Sequence, residues 1–227
     1  MSIATNIYEV NRRISSAALR VGRDPATIRL VAASKTWPAE GVTEAAEAGQ
    51  LIFGENYVQE LLAKALHVKE PIEWHFIGAL QSNKVKQLAG VVSLIHSVDR
   101  LSLAEEIEKQ WGKLGELCNV LVEVNLSGEE TKSGTSSAEA ARLVREVARL
   151  PHLRIRGLMT MPQFFDQPEE ARLSFRSLRE LSEMITAENI PNVEMDELSM
   201  GMSGDFEVAV EEGATLVRVG TAIFGYR

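Results

Sequence analysis

Lys35 is the residue of this sequence with the clearest potential for covalent chemistry. It directly follows the apolar run Leu30-Val-Ala-Ala-Ser34, so we expect it at the mouth of a buried strand. Partial burial favours the neutral form of a lysine amine, because the charged form loses hydration. A neutral amine can attack an aldehyde and form a Schiff base. The alternative is a lysine that packs its stem on the strand end and reaches solvent, and position alone favours neither.

A second candidate is the segment Ser199-Met-Gly-Met-Ser-Gly-Asp205, which leads into a predicted helix. Its glycines let backbone amides approach an anion, Ser203 offers a hydroxyl, and the amino end of the helix adds a favourable dipole. The spacing differs from the nucleophile elbow Gly-x-Ser-x-Gly and from the dinucleotide motif Gly-x-Gly-x-x-Gly. A structural turn with a helix cap is the alternative interpretation.

The third candidate, Arg218-Val-Gly-Thr221, supplies a glycine and a hydroxyl after another apolar run. The two anion-friendly segments follow the last two predicted strands of the chain. Parallel barrels commonly bind phosphate with the loops after their last two strands. Together the segments therefore predict a phosphate site.

Short apolar runs alternate with helical patterns along the whole chain, after an opening helix predicted over 3–21. The predicted strands are 28–34, 51–54, 73–78, 94–98, 120–125, 155–159, 197–200 and 216–220. The predicted helices after the first strand are 38–49, 57–68, 83–91, 102–114, 136–150, 168–189 and 205–212. The helix over 136–150 opens with the capping-box pattern Ser136-Ser-Ala-Glu139.

Eight apolar strands separated by helices predict an α/β fold with a parallel sheet, and eight strands close a (β/α)8 barrel of the TIM type. An open doubly wound sheet is the alternative. No linker or change of composition divides the chain, so we expect one domain over 1–227 with an extra N-terminal helix. Barrel function lies at the carboxyl ends of the strands, where the polar residues of this sequence gather.

Composition excludes several classes of function. A net charge of −8 argues against nucleic-acid binding. The single cysteine indicates a reducing compartment, so we expect a cytoplasmic protein. We find neither a signal peptide nor an apolar run of the ~18 residues that a membrane span needs. The four histidines show no metal-binding spacing, so we expect no metal.

Motifs along nearly the whole chain resemble those of the pyridoxal phosphate homeostasis proteins. They are Leu30-Val-Ala-Ala-Ser-Lys-Thr36, Phe53-Gly-Glu-Asn-Tyr-Val-Gln-Glu60, Trp74-His-Phe-Ile-Gly-Ala-Leu-Gln-Ser-Asn-Lys84, His96-Ser-Val-Asp99, Val124-Asn125 with Ser127-Gly-Glu129 and Lys132-Ser-Gly134, Gly157-Leu-Met-Thr-Met161, Leu198-Ser-Met-Gly-Met-Ser203 and Val217-Arg-Val-Gly-Thr-Ala-Ile-Phe-Gly225. The resemblance implies a barrel similar to the N-terminal domain of alanine racemase. It also implies a cofactor, pyridoxal 5′-phosphate (PLP), held as a Schiff base on Lys35.

The same resemblance implies the roles of the other cofactor-binding residues. Ser203, Gly220 and Thr221 would hold the phosphate, with Met200, Gly201 and Met202 close by. Arg218 would face the pyridine nitrogen, and Asn56 would lie near the ring. Arginine donates hydrogen bonds and cannot accept them, so it would leave that nitrogen unprotonated and the ring a weaker electron sink.

The expected function is a non-catalytic role in intracellular vitamin B6 homeostasis, in which PLP passes to PLP-dependent apoenzymes. A PLP-dependent amino-acid racemase is the alternative. By the family comparison, a racemase needs a second domain, and the sequence ends at Arg227, seven residues after Gly220. A Schiff-base aldolase is a third hypothesis, but its lysine normally follows a later strand. Without a second domain we expect a monomer.

Overall fold

Eight parallel strands form a closed ring in the computed structural model, which describes residues 2–126, 133–163 and 165–225. The strands are β1 (Arg29–Ala33), β2 (Ile52–Glu55), β3 (Glu73–Phe76), β4 (Leu94–Val98), β5 (Cys118–Asn125), β6 (Thr135–Ser136), β7 (Leu153–Met159), β8 (Val193–Ser199) and β9 (Leu216–Val219). Around the ring the order is β1, β2, β3, β4, β5, β7, β8 and β9, and β9 pairs again with β1. The short β6 pairs only with the end of β5 and lies outside the ring. The barrel prediction is confirmed, and the open sheet is excluded.

Helices surround the ring. They are α1 (Ile3–Arg20), α2 (Ala39–Glu47), α3 (Val58–His67), α4 (Leu101–Leu114), α5 (Ser137–Val147), α6 (Arg172–Ala187), α7 (Phe206–Glu211) and α8 (Thr221–Phe224). The predicted N-terminal helix is α1, which packs on α7, α8 and α2. Its Asn6 side chain donates to the Ile223 carbonyl oxygen at 2.7 Å. This contact holds α8 against the barrel from outside.

The connection between β3 and β4 differs from its prediction. In place of an α-helix over 83–91, the chain forms a 3₁₀ helix over Ser82–Gln87. Its apolar contacts come from Val85 and Leu88, both fully buried and three residues apart. Residues i and i+3 share one face of a 3₁₀ helix, so this short form buries both side chains.

The predicted capping box is also wrong in part. Ser136 is the N-cap residue of α5, yet its side chain makes no capping hydrogen bond. Ser136 pairs with Asn125 in the β5–β6 ladder, and Glu139 forms an ion pair with Arg142. The Glu139 carboxylate is therefore engaged by Arg142, and the Ser136 side chain does not cap the helix.

The core has two parts. The larger part fills the space between the strands and the helices, with residues such as Phe53, Ile107 and Phe175. A smaller apolar cluster inside the barrel is contributed by six strands: Val31, Ile52, Leu94, Leu121, Met159 and Leu216. The rest of the interior carries buried polar side chains, among them His75, His96, Ser199 and Arg218. This polar part of the interior leads to the carboxyl ends of the strands.

The segment 127–132, which includes the motif residues Ser127, Glu129 and Lys132, lies outside the described residues. That the whole chain is one domain stays a prediction. Among the described helices, none is both long and apolar enough to cross a membrane.

Candidate functional site

A cavity of ≈ 500 Å³ opens at the carboxyl ends of the strands. Seven predicted site residues line it: Lys35, Asn56, Met202, Ser203, Arg218, Gly220 and Thr221. Other lining residues include Ala33, Ile77, Met161, Gln163, Phe165, Pro168, Ala171, Gly204, Asp205 and Ala222. Met200 and Gly201 do not line the cavity and are buried behind it. The structure thus brings together residues of β1 and β9 with residues that follow β1, β2, β3, β7, β8 and β9.

Lys35 directly follows Ser34 at the end of β1 and is exposed at the cavity. The next residue, Thr36, has a φ of 66°, a left-handed conformation that is strained for a β-branched residue. The Thr36 backbone N–H donates to Glu60 Oε2 at 2.8 Å, which holds the turn in place. Such strain persists where the surroundings over-determine the conformation. The backbone that carries Lys35 is therefore restrained.

The buried ion pair between Lys64 and Glu55 restrains the same turn. Lys64, on α3, donates from Nζ to the Ser34 carbonyl oxygen at 2.8 Å and to Glu55 Oε1 at 2.6 Å. The Ser34 hydroxyl also donates to Glu55 Oε1, at 2.6 Å. Burial raises the pKa of Glu55, and the hydrogen bonds from Lys64 and Ser34 act in the opposite direction. The ends of β1 and β2 are joined through these side chains.

The loops after β8 and β9 meet at Ser203. Its Oγ accepts hydrogen bonds from the backbone N–H groups of Gly220 and Ala222, at 3.2 and 3.3 Å. Gly201, with a φ of +89°, turns the chain toward this point, and a Cβ there would lie 2.5 Å from the Ala209 Cβ. Backbone N–H groups directed at one oxygen are the donors that an anion needs. The phosphate site predicted for these loops stays a prediction.

Asp205 joins the same region. Its carboxylate accepts from the Met202 backbone N–H at 2.6 Å, which closes the turn before α7. Burial raises the pKa of Asp205, while the Met202 N–H and Arg218 act to lower it. The Asp205 carboxylate therefore holds the loop as well as lining the cavity.

Arg218 is a buried cation at the cavity. It donates from Nη1 to the Ser199 hydroxyl oxygen at 2.5 Å and from Nη2 to the Thr160 carbonyl oxygen at 3.0 Å. Burial lowers its pKa to about 10, against the opposing influence of Glu123 and Asp205. Arg218 therefore stays protonated at neutral pH, with neutral acceptors as its direct partners.

Two further groups near the cavity are chemically unusual. Asn56 lines it, and its buried Oδ1 has no hydrogen-bond partner within the described part of the chain. A buried acceptor without a partner is costly, so it marks a place for a donor from a ligand or water. Glu123, on β5, is buried, and burial, with a smaller contribution from Asp99, raises its pKa to about 7.

Several site residues were not predicted from the sequence. Others were noted only as polar residues at the carboxyl ends of strands, without a role. Sequence reasoning did not identify Ser199 and Thr160 as the partners of Arg218, nor the hydrogen bond between His96 and Ser199. The position of His96 inside an apolar run was the available signal. Gln163 and Phe165 follow β7 in a loop without periodicity, so no pattern pointed to them.

Comparison with known proteins agrees with this geometry. Residues 12–227 match the family described as "Alanine racemase, N-terminal domain". The pyridoxal phosphate homeostasis protein of Aquifex aeolicus is 47% identical over 228 residues, which cover 100% of this chain and 99% of that protein. The protein of the same name from Escherichia coli (strain K12) is 44% identical over 229 residues, covering 99% of this chain and 97% of that protein.

Solved structures of similar fold include a member of this family and alanine racemases. PipY of Synechococcus elongatus, in a structure with PLP bound, is 35% identical with a TM-score of 0.84, and the match covers 99% of this chain and 100% of that chain. Alanine racemase from Corynebacterium glutamicum shares the fold alone, at 16% identity and a TM-score of 0.71, with 99% of this chain and 61% of that chain covered. The expected family is therefore confirmed, and this chain belongs to the pyridoxal phosphate homeostasis proteins, within the alanine racemase N-terminal domain family.

Proposed function

We propose that this protein binds PLP reversibly in the cavity at the carboxyl ends of the strands, with Lys35 as the attachment residue. We propose further that it serves PLP homeostasis without catalysing a reaction of its own. One observation carries the proposal: an exposed lysine, a buried cation and a cluster of backbone N–H donors all line a single cavity. The name shared by its relatives and the PLP bound to PipY support it.

The residues present fit the chemical groups of PLP. When bound, PLP supplies an aldehyde that bonds reversibly to an amine, and Lys35 is the lysine among the described residues that line the cavity. The N–H groups of Gly220 and Ala222, with the hydroxyls of Ser203 and Thr221, suit a phosphate of about −1.5 to −2 charge. The unpartnered Asn56 Oδ1 accepts a donor from the ligand or from water.

Arg218 affects how strongly a bound pyridine ring withdraws electrons. Its guanidinium stays protonated and can only donate, so it leaves a pyridine nitrogen in front of it unprotonated. A pyridine in this state withdraws electrons less than one paired with an acid. Racemase-like sites also carry an arginine here, so Arg218 alone does not distinguish storage of PLP from catalysis.

A racemase is the competing function, and the cavity gives it little support. Removing a proton from one face of an amino acid and returning it to the other needs two bases. Among the described lining residues, Lys35 is the one amine, and the Asp205 carboxylate accepts the Met202 N–H. Release needs less: Lys35 is exposed, so water or another amine can reach the attachment point. We propose PLP-dependent apoenzymes as recipients, and a monomer in the cytoplasm as the working state.

Attachment is tested by treating PLP-loaded protein with borohydride and locating the added mass by peptide mass spectrometry. We expect the label on Lys35 and none in Lys35→Ala. Lys84 is the control position, because it follows β3 without lining the cavity. A label found mainly on Lys84 would show that the attachment residue is wrong.

The absence of catalysis and the transfer of PLP need a separate experiment. Loaded protein should restore the activity of an unrelated PLP-dependent apoenzyme, whereas the borohydride-reduced sample should not. Chiral chromatography after incubation with alanine should show no conversion beyond that of free PLP. Racemisation that disappears in Lys35→Ala would replace the proposal with the enzyme alternative.

A further inference from the structure

Four buried side chains form a continuous hydrogen-bonded chain through the barrel interior. Arg218 Nη1 lies 2.5 Å from Ser199 Oγ, and Ser199 Oγ lies 2.8 Å from His96 Nδ1. His96 Nε2 lies 3.0 Å from His75 Nδ1. His96 is on β4 and Ser199 is on β8, and β5 and β7 separate these strands in the ring. Their hydrogen bond therefore crosses the interior.

The far end of this chain reaches a second pocket. His75 lines a pocket of ≈ 190 Å³ together with Arg29, Glu73, Ser93, Asn119 and Glu197. Glu73 Oε2 lies 3.8 Å from His75 Nε2, and the Glu73 side chain is 55% exposed. Glu73 begins β3 and Arg29 begins β1, so this pocket lies at the amino ends of the strands, opposite the PLP cavity.

Both imidazoles are neutral at pH 7. Burial lowers the pKa of His75, and it lowers that of His96 well below its usual value. The charged groups that act on His75 are Glu73, Arg29 and Glu197, and those that act on His96 are Arg218 and Arg29. A neutral imidazole accepts at one nitrogen and donates at the other, so each ring can relay a hydrogen bond.

The ends of the chain give it a direction. Arg218 can only donate, so the Ser199 oxygen accepts from it, and the Ser199 proton is directed to His96 Nδ1. His96 then carries its own proton at Nε2 and donates to His75 Nδ1. His75 in turn carries its proton at Nε2, toward the Glu73 carboxylate, which can only accept. In the opposite direction Ser199 would accept twice, and its proton would need another buried acceptor.

We propose that His96 and His75 are positioning residues for Arg218. His96 accepts a hydrogen bond from the Ser199 hydroxyl and is itself held by His75. The Ser199 oxygen is thereby oriented toward the guanidinium, and Arg218 keeps one orientation at the cavity. A change at the amino-end pocket is thereby transmitted to the cofactor site. The effect on PLP rests on the proposed function, whereas the direction of the chain is a property of the protein alone.

The direction is measured without PLP. His67 and His152 are the other two of the four histidines, and both are outside the chain of hydrogen bonds. In ¹⁵N-labelled protein carrying His67→Gln and His152→Gln, long-range ¹H–¹⁵N spectra report His75 and His96 alone. We expect both rings to be protonated at Nε2 and unprotonated at Nδ1. A proton at Nδ1 of either ring would overturn the proposal.

A charge reversal at the far end tests transmission. Glu73→Lys replaces an acceptor with a donor beside His75 Nε2, so both rings should move their protons to Nδ1. Glu70→Lys is the matched control, because it changes the net charge equally from outside the amino-end pocket. The same tautomers in both variants would overturn the proposal.

The cofactor provides the final readout. PLP-loaded Glu73→Lys should keep the borohydride label on Lys35 but show a shifted visible absorption maximum, while Glu70→Lys keeps the maximum of the unmodified protein. If the tautomers change and the maximum does not, transmission to the cofactor site is refuted. Failure of the unmodified protein to bind PLP would refute the proposed function, and the tautomer measurement would still decide the direction of the chain.

Discussion

Lys64 and Arg218 are two buried cations near the same cavity, and their surroundings differ. Lys64 Nζ contacts two carboxylates, Glu55 at 2.6 Å and Glu60 at 3.4 Å. Arg218 donates to neutral oxygens of Ser199 and Thr160. Burying a charge is costly unless it is paired. We conclude that the ion pairs of Lys64 stabilise the fold. The charge of Arg218, which has no carboxylate in direct contact among the described residues, can interact with a ligand in the cavity.

The largest effect is expected at the paired cation. Lys64→Met leaves the buried Glu55 carboxylate without its counter-charge, and breaking such a pair costs about 3–5 kcal/mol in the free energy of unfolding. Urea unfolding of the protein without PLP measures this loss. Glu55→Gln in the same chain should recover much of it, because the uncompensated charge is removed. A loss below about 1 kcal/mol in Lys64→Met would contradict the structural role of this ion pair.

The buried acid Glu123, which forms no ion pair within the described part of the chain, should make stability depend on pH. The pKa of Glu123 is about 7 in the folded chain against a usual value of 4.5. The folded chain therefore binds the proton more tightly, and the free energy of unfolding should fall as pH rises from about 4.5 through 7. At 1.36 kcal/mol per unit the fall is at most about 3 kcal/mol.

Glu123→Gln isolates this effect. Urea unfolding at pH 5 and pH 8 should show a smaller fall in the variant, and at pH 8 the variant should be the more stable protein. Other titrating groups cancel in the difference between the two proteins. Equal falls in both would mean that Glu123 is ionised in the fold at pH 5.

A smaller effect is expected at a neutral group of the cavity. Ser203→Ala removes a hydroxyl from the proposed phosphate site, and one neutral hydrogen bond contributes about 0.5–1.5 kcal/mol. PLP binding should weaken several-fold, while pyridoxal, which lacks the phosphate, should bind as before. Fluorescence titration with the two ligands measures the difference, and Thr221→Val provides a second variant. Equal losses for both ligands would place Ser203 away from the phosphate.

The smallest effect on stability is expected at the unpaired cation. Arg218→Met removes a charge whose burial is costly. It also removes the hydrogen bonds that offset this cost. The two terms oppose each other, so unfolding of the protein without PLP should change by only about 1 kcal/mol. Urea unfolding beside Lys64→Met gives the comparison directly. A loss as large as that of Lys64→Met would remove the distinction between the two cations.

Local patterns were sufficient to predict the barrel and much of the candidate site. The eight apolar runs correspond to the eight strands of the ring. Most of these strands are buried along their length, as parallel strands covered by helices are, whereas β8 is buried only at its last two residues. Lys35, Ser203 and Arg218 follow or end such runs, so the parallel arrangement alone brings them to one cavity. Their binding roles stay predictions.

What the sequence did not reveal depends on contacts between distant strands. His75 and His96 are 21 residues apart, and His96 meets Ser199 across 103 residues. These pairs follow only from ring closure and register, which no local pattern specifies. Met200 and Gly201 were placed near the cofactor through the family resemblance alone, and in the structure both are buried without lining the cavity. The helix predicted over 83–91 was wrong because apolar residues three apart suit a 3₁₀ turn as well.

The pairing of β1 with β9 has a consequence for the order of folding. It joins Val31 to Arg218 and Ala32 to Val219, across nearly the whole length of the described chain. Contacts between residues so far apart in sequence form slowly, because closing the long loop between them costs entropy before the contacts contribute any stability. Lys35 extends from one side of this seam and Arg218 from the other. Because Arg218 and Gly220 lie in and directly after β9, the cavity is complete only when β9 has paired with β1. We therefore expect a chain interrupted before β9 to contain Lys35 without forming this cavity.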